Sequence, residues 1–207
     1  MPTQIVMIHG GMTFKTKEDY INYLKTTEIS LEEKVSWKGK YLKESLGEDF
    51  QIIKPRMPLA ADAQYEEWKI IFERYLEVLN DEIILTGSSL GGTFLAKYLS
   101  ENKLSENRIN KKLLAVFLMA PPFDNSLPGE DLVGGFDLTE DLSLLDECTE
   151  NLYLMFSKDD DVVPVEHAQK FEAKLPNAKI IIYESKGGHF QIEEFPEIVN
   201  LIKESVK

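Results

Sequence analysis

Short apolar runs alternate along this chain with longer segments in which apolar residues recur every three or four positions. Runs without alternation are typical of strands covered on both faces, and the three-to-four spacing is typical of helices. One run begins at Ile83, and the others occupy residues 4–8, 50–54, 113–118, 152–156 and 179–183. Strands that alternate with helices predict an α/β fold: a mostly parallel sheet of about six strands with helices on both faces.

The helical segments are bounded by residues that commonly start or end helices. Between Lys17 and Leu46 we expect two helices, the second beginning at Ser30 as N-cap with Glu33 three residues on, and ending at Gly47. Further helices are predicted at residues 65–80, 93–99, 164–175 and 197–206.

Two parts of the pattern leave alternatives open. The helix at 65–80 carries an apolar stripe that includes Trp68. This stripe, together with residues 57–59, either lines a substrate pocket or belongs to the hydrophobic core, which is the more common role of such stripes. Residues 123–147 are irregular and rich in Pro-Gly, Gly-Gly and scattered acids, which predicts a lid or an irregular insertion.

Composition narrows the class of protein. A chain of 207 residues fits a single domain, residues 1–207, and no apolar run approaches the roughly 20 residues that span a bilayer. The start of the chain lacks the basic region of a signal peptide, so we expect a cytoplasmic protein without a membrane partner. The net charge of −13 argues against a nucleic-acid partner. Cys148 is alone and is expected to be a packing residue.

The stretch from Gly87 to Gly91 contains a candidate nucleophile whose catalytic partners must come from elsewhere in the chain. Ser89 has glycines two residues before and two residues after it, a spacing that lets backbone segments cross closely around a sharply bent serine, whereas Ser88 does not. A serine is a weak nucleophile unless a histidine base and an orienting acid assist it. A phosphate-binding loop is excluded, because the lysine and the four-residue spacer of that motif are missing.

Candidate partners for Ser89 follow other predicted strands. His9-Gly10-Gly11 follows the first strand, Ser157 to Asp161 follows the fifth, and Gly187-Gly188-His189 follows the sixth. Ligands of open parallel sheets bind beyond the carboxyl ends of the strands. We therefore expect these segments to meet at one edge of the sheet.

Over nearly its whole length, the chain resembles the α/β-hydrolase superfamily, in particular its small serine hydrolases of the carboxylesterase kind. Residues 87–91 match the nucleophile elbow, 157–164 resemble the segment that carries the acid, and 188–190 resemble the histidine loop. Their order, serine then acid then histidine, is that of the superfamily. The resemblance implies a Ser-His-Asp triad of Ser89, His189 and Asp160.

The acid has alternatives. Alignment on Val163-Pro164 favours Asp160 as the acid, with Asp159 as the second choice. The alternative without a catalytic role is a solvated acidic loop ahead of a helix. Three consecutive aspartates also suggest Ca²⁺ or Mg²⁺, but the glycine and distal glutamate of an EF-hand loop are missing. We expect neither a metal nor a cofactor.

The remaining histidines and glycines have predicted roles around the serine. His167, expected to be solvated, is the reserve base. By resemblance, His9 has a structural role, and the backbone N–H groups of Gly11 and Leu90 form the oxyanion hole. The N–H of Met12 is an alternative donor to the oxyanion. The alternative for Gly10 and Gly11 is that they serve only to form a turn.

The sequence thus predicts a serine hydrolase that cleaves a small-molecule ester through an acyl-enzyme. Thioesters and peptides are alternatives within the class, and a catalytically silent binding protein on the same fold is the alternative outside it. Acyl length, physiological substrate and oligomeric state are left open.

Overall fold

The sheet is built from six parallel strands in the computed structural model, which describes residues 1–29, 31, 36–105 and 110–207. The strands are β1 (Thr3–Ile8), β2 (Phe50–Ile53), β3 (Glu82–Ser88), β4 (Lys112–Met119), β5 (Leu152–Ser157) and β6 (Lys179–Tyr183). Their order across the sheet is β2-β1-β3-β4-β5-β6. The predicted α/β fold with helices on both faces is confirmed.

Seven helices accompany the strands in the described part of the chain. They are α1 (Lys17–Thr26), α2 (Lys40–Leu46), α3 (Tyr65–Leu76), α4 (Leu90–Glu101), α5 (Ser143–Asp146), α6 (Glu166–Glu172) and α7 (Pro196–Glu204). Gly47 ends α2 as predicted, with φ +73° and its N–H donating to the Lys43 carbonyl at 3.1 Å. The helix start predicted from Ser30 and Glu33 lies outside the described residues.

The apolar stripe of α3 is core. Its side chains Tyr65, Trp68, Phe72 and Leu76 are buried, and the Trp68 ring packs against Phe94 and Phe136. Every residue of β5 is buried as well, as expected for a strand covered on both faces.

Residues 123–147 contain one helix, α5. Four apolar side chains of this segment are nevertheless buried: Leu132, Phe136, Leu142 and Leu145. Thr13 and Asp131 also form an isolated antiparallel bridge that joins the segment to the loop after β1. The segment is therefore packed onto the body of the domain, and its motion as a lid stays a prediction.

Strand order reverses at β1, which has β2 on one side and β3 on the other. Ile8, the last residue of β1, lies in register with Gly87 of β3, so the chain leaves both strands at the same edge. A crevice outside such a reversal is where open parallel sheets bind ligands. The loop at Gly10 and the turn at Ser89 both follow strands that end at this edge.

None of the helices in the described ranges has the length and apolarity required to cross a bilayer.

Candidate active site

Ser89 occupies a strained turn between β3 and α4. Its backbone has φ +52° and ψ −128°, a region that non-glycine residues rarely adopt and that costs about 1–3 kcal/mol. Its N–H donates to the Met119 carbonyl at 2.8 Å, and its carbonyl accepts from Gly92 at 2.8 Å. The end of β4 and the first turn of α4 therefore hold the strained serine in place.

The glycines on either side of Ser89 are required by close backbone contacts. A Cβ on Gly87 would lie 2.5 Å from the Gly91 carbonyl oxygen, and a Cβ on Gly91 would collide with the carbonyl oxygens of His9 and Ile8. Any larger residue would force the turn away from β1. The predicted reason for the Gly-x-Ser-x-Gly spacing is confirmed.

Asp160 and His189 are brought together from loops that follow β5 and β6. Nδ1 of His189 lies 2.8 Å from Oδ2 of Asp160. The Asp160 side chain is fully buried and that of His189 is 18% exposed. Oδ1 of Asp160 accepts the backbone N–H groups of Val162 and Val163, both at 2.9 Å. The carboxylate is thereby fixed behind the ring, and Nε2 is left for another partner.

Asp159, the second choice for the acid, makes a different set of contacts. Its carboxylate accepts the Ser157 hydroxyl at 2.5 Å, the Ser185 hydroxyl at 2.6 Å and the Gly188 N–H at 3.0 Å. These hydrogen bonds, led by that of Ser157, hold the pKa of Asp159 well below its ordinary value. Asp159 ties the two loops together and does not bond to the imidazole.

The loop that carries His189 is tightly curled. Gly187, Gly188 and Phe190 all have positive φ, of +64°, +68° and +56°, and the Phe190 N–H donates to the Gly188 carbonyl at 2.9 Å. The buried Phe190 ring packs against Tyr183 and Phe195, which anchors the curl to β6 and α7. Burial of this ring offsets the strain of a left-handed phenylalanine.

Ser89 and His189 lie at the same edge of the sheet but are not hydrogen-bonded to each other. Within the described ranges, Oγ of Ser89 and Nε2 of His189 each lack a hydrogen-bond partner within 3.5 Å. Ser89 follows β3, whereas Asp160 and His189 follow β5 and β6, on the other side of β4.

Backbone N–H groups beside Ser89 differ in whether they are already engaged. The Met12 N–H, the alternative oxyanion donor, donates to the Ala60 carbonyl at 2.8 Å. The N–H groups of Gly11 and Leu90 donate to no acceptor in the described part of the chain. The two residues are neighbours, because a Cβ on Gly11 would lie 3.1 Å from Cδ2 of Leu90.

His9 holds the loop after β1 in place. Its Nε2 accepts the Met57 N–H at 3.0 Å, its Nδ1 lies 2.6 Å from the Gly10 carbonyl oxygen, and its ring meets Trp68 edge-on at 5.5 Å. Both ring nitrogens are therefore committed to backbone groups. Gly10, held in this way, packs against Ser89: a Cβ added to it would lie 3.3 Å from that of the serine.

The expectation that His167 is solvated is wrong. The residue is 1% exposed, its Nδ1 accepts the Phe123 N–H at 2.9 Å, and its Nε2 lies 3.2 Å from the Ser126 carbonyl oxygen. Burial lowers its pKa. The side chain fastens the start of the 123–147 segment to α6, a role that helical spacing alone does not reveal because it depends on a distant loop.

Glu130, which the sequence did not single out, has a pKa on which the charges of His189 and Asp160 act. Burial raises its pKa, the nearby charge of His189 opposes that rise, and the charge of Asp160 adds to it. Glu130 also lines a pocket of about 320 Å³ together with Met12 and Thr13. In the sequence it is one of many acids in an irregular segment, so no local signal marks it.

In the ranges that the structure describes, no group of three or more His, Cys, Asp or Glu side chains is arranged to hold a metal ion. Cys148 packs against the core, and burial followed by the charge of Asp146 raises the pKa of its thiol to about 12. The cysteine is thus a packing residue, as expected.

A comparison with known families matches residues 33–203 to the model described as serine hydrolase. No curated protein matches the chain. Among solved structures, the ydeN gene product from B. subtilis superposes with a TM-score of 0.71 at 18% identity, over 99% of this chain and 98% of that one. The 2-hydroxy-6-oxo-6-phenylhexa-2,4-dienoate hydrolase from Rhodococcus sp. strain RHA1 gives 0.65 at 12% identity, over 99% and 90%. The monoacylglycerol lipase of Paleococcus ferrophilus gives 0.57 at 14%, over 99% and 97%.

Proposed function

The chain belongs to the serine hydrolase family, and from this premise we propose that it hydrolyses a small carboxylic ester with Ser89 as nucleophile, His189 as base and Asp160 as the orienting acid. The observation that carries the proposal is the 2.8 Å hydrogen bond between Asp160 and His189. An acid bonded to Nδ1 holds the ring in the tautomer whose Nε2 accepts a proton. A solvated acidic loop would have no reason to bury this carboxylate.

The nucleophile is supported by its strained backbone. Strain at a polar residue beside a crevice is typical of catalytic turns, and the stabilising contacts of Ser89 come from β4 and α4. The proposal requires Nε2 of His189 to approach Oγ of Ser89 when substrate is bound. Hydrogen bonds of catalytic groups are often long without substrate and tighten in the complex.

The oxyanion of the tetrahedral intermediate would be held by the N–H groups of Leu90 and Gly11. Both are unengaged in the described part of the chain, whereas the Met12 N–H is bonded to Ala60. This difference favours Gly11 over Met12 as the second donor. Each such donor contributes on the order of 3 kcal/mol to the transition state.

The reaction then runs in two steps. His189 takes the Ser89 proton as Oγ attacks the ester carbonyl, and the protonated ring gives that proton to the departing alcohol, which leaves an acyl-serine. Water, deprotonated by the same ring, attacks the acyl group and releases the carboxylic acid with the free serine.

An ester is the first substrate class to test. The lipase among the similar structures acts on esters by its name, and the same triad also attacks thioesters and peptides. Hydrolysis rates of matched p-nitrophenyl esters, thioesters and anilides carrying the same acyl group rank the three classes. Faster turnover of the thioester or the anilide would replace the ester assignment without changing the triad.

Labelling of the intact protein by a fluorophosphonate, with p-nitrophenyl acetate hydrolysis in parallel, tests the triad itself. We expect Ser89→Ala to abolish both, and Ser88→Ala to retain both, since Ser88 differs from Ser89 by one position and its hydroxyl faces the Met119 sulfur at 4.0 Å. A well-folded wild-type protein that stays unlabelled would instead be a silent binding protein on the hydrolase fold.

A further inference from the structure

A second cavity, of about 460 Å³, lies where β1 and β3 are neighbours in the sheet. Its floor includes Met7 and Ile8 of β1 and Thr86 and Ser88 of β3. Met7 and Thr86 are register partners, so their side chains leave the sheet on the same face. The volume lies within the roughly 300–1,000 Å³ of small-molecule pockets, and the place is the reversal of strand order where parallel sheets bind ligands.

In the part of the chain that the structure describes, the charged side chains that line this cavity are all basic. Lys38, Lys54 and Arg56 contribute to its wall, and no described aspartate or glutamate does. Acidic residues outnumber basic ones by 36 to 23 in the whole chain, so a wall with three cations and no acid runs against the overall charge. The cavity is therefore a local positive region on an acidic protein.

No carboxylate of the described residues forms an ion pair with these positive charges. In the described part of the chain, none of the three side chains pairs with a carboxylate: Lys54 donates to the backbone carbonyl of Lys38, and the Lys38 ammonium lies 5.6 Å from the centre of the Trp37 ring. Burial, and secondly the charge of Lys54, lower the pKa of Lys38 to about 8. An anion placed among these groups would favour the charged form of Lys38 and so offset both effects.

We propose that this cavity binds a small organic anion whose carboxylate or phosphate head contacts Lys38, Lys54 and Arg56. Its apolar body lies against Met7, Ile8 and Pro55, which an inorganic ion would leave uncovered. The cavity is lined by Ser88 and His9, not by Ser89, so this binding does not depend on the reactivity of Ser89.

Titration calorimetry on the Ser89→Ala protein at low ionic strength tests the proposal without interference from hydrolysis. The probes are octanoate, octyl phosphate and octanol, which share one tail and differ in the head group. We expect one molecule of anion to bind per chain and octanol to bind at least about tenfold more weakly, since a hydrogen bond to a charged group exceeds the free energy equivalent to a tenfold change. The tighter of the two anions identifies the head group.

Matched variants locate the binding. Lys38→Met and Arg56→Gln each remove one charge from the wall and should weaken anion binding about tenfold or more. The control is Lys40→Met, which removes the same charge two residues away from Lys38. The Lys40 side chain is 85% exposed and lies near Glu44, so this variant should leave anion binding unchanged. Thermal unfolding checks that each variant folds. If Lys38→Met does not fold, the variant of the exposed Arg56 still tests the proposal.

Three results would overturn the proposal. The first is equal anion affinity in the parent and in both wall variants, which would place the anion elsewhere. The second is octanol binding as tightly as octanoate, which would make the site apolar only. The third is no binding of either anion by the folded protein at millimolar concentration.

Discussion

The Asp159 carboxylate accepts the Gly188 N–H at 3.0 Å, one residue away on both loops from the bond between Asp160 and His189. Two adjacent aspartates thus join the same pair of loops in different ways. One binds backbone and hydroxyl groups, and the other binds the imidazole. Their substitutions should therefore have different consequences.

We expect Asp160→Asn to lower kcat by about 10³–10⁴-fold with a small change in KM, because the amide no longer selects the tautomer of His189 that leaves Nε2 unprotonated. An asparagine oxygen still accepts the N–H groups of Val162 and Val163, so the variant should fold. Ester kinetics with a thermal unfolding control measure both. An Asp160→Asn enzyme with wild-type kcat would contradict the assignment.

Asp159→Asn should lower stability at neutral pH more than it affects the chemistry. The pKa of Asp159 is lowered in the folded protein, so its contribution to stability is present above the ordinary carboxyl value of about 3.8 and is lost as the pH falls towards the lowered value. The variant lacks that contribution at neutral pH, and its deficit relative to wild type should shrink on acidification. Urea denaturation at pH 7 and pH 3 provides the comparison.

Gly91→Ala should destabilise the protein although alanine is the better helix former. Alanine in α4 would gain about 1 kcal/mol in propensity, but its methyl group collides with the carbonyl oxygens of His9 and Ile8. We expect a net loss of about 3 kcal/mol in the free energy of unfolding. The control is Gly47→Ala, where φ is +73° and a Cβ meets nothing within 4 Å, so the loss should be about 1 kcal/mol. Equal losses in urea denaturation would argue against the close contact at the elbow.

Glu130→Gln should stabilise the protein at neutral pH. Burial raises the pKa of Glu130 in the folded state, so its contribution is most favourable below the ordinary value of about 4.5 and is lost as the pH rises through the raised value. Glutamine removes the charge whose burial is unfavourable. The difference in melting temperature between variant and wild type should be positive at pH 7 and vanish below pH 4.5. A lower melting temperature for the variant at pH 7 would contradict the sign.

The buried His167 should make stability depend on pH in the opposite direction. Its pKa is lowered on folding, so the unfolded chain takes up a proton first as the pH falls below about 6.5, and stability decreases until the lowered value is reached. Protonation of Nδ1 also breaks its bond with the Phe123 N–H. His167→Asn retains an acceptor near Nδ1 but does not titrate. Its free energy of unfolding should change less between pH 8 and pH 5.5 than that of wild type.

Local sequence was sufficient for the fold class and for the elbow. Apolar runs alternating with helical segments predicted the six strands. The run is most continuous in a central strand such as β5, because burial on both faces leaves no exposed position there. The glycines at 87 and 91 predicted a sharp turn at Ser89, because only a residue without a side chain allows backbone segments to approach as closely as they do at these two positions. The apolar pattern recurs along the chain and the glycine motif spans five residues, so both can be recognised locally, although Gly91 itself meets the distant carbonyl oxygens of His9 and Ile8.

Contacts between distant loops were decided by the tertiary structure. Two aspartates side by side have the same composition and nearly the same sequence context, yet Asp160 faces His189 and Asp159 faces Gly188. His167 is buried by a loop some forty residues earlier in the chain, and the charge of His189 acts on the pKa of Glu130 from another loop. The choice between Gly11 and Met12 likewise rests on the Ala60 carbonyl. A side chain's neighbours across the sheet edge depend on how separate loops pack, and neither periodicity nor residue type encodes that packing locally.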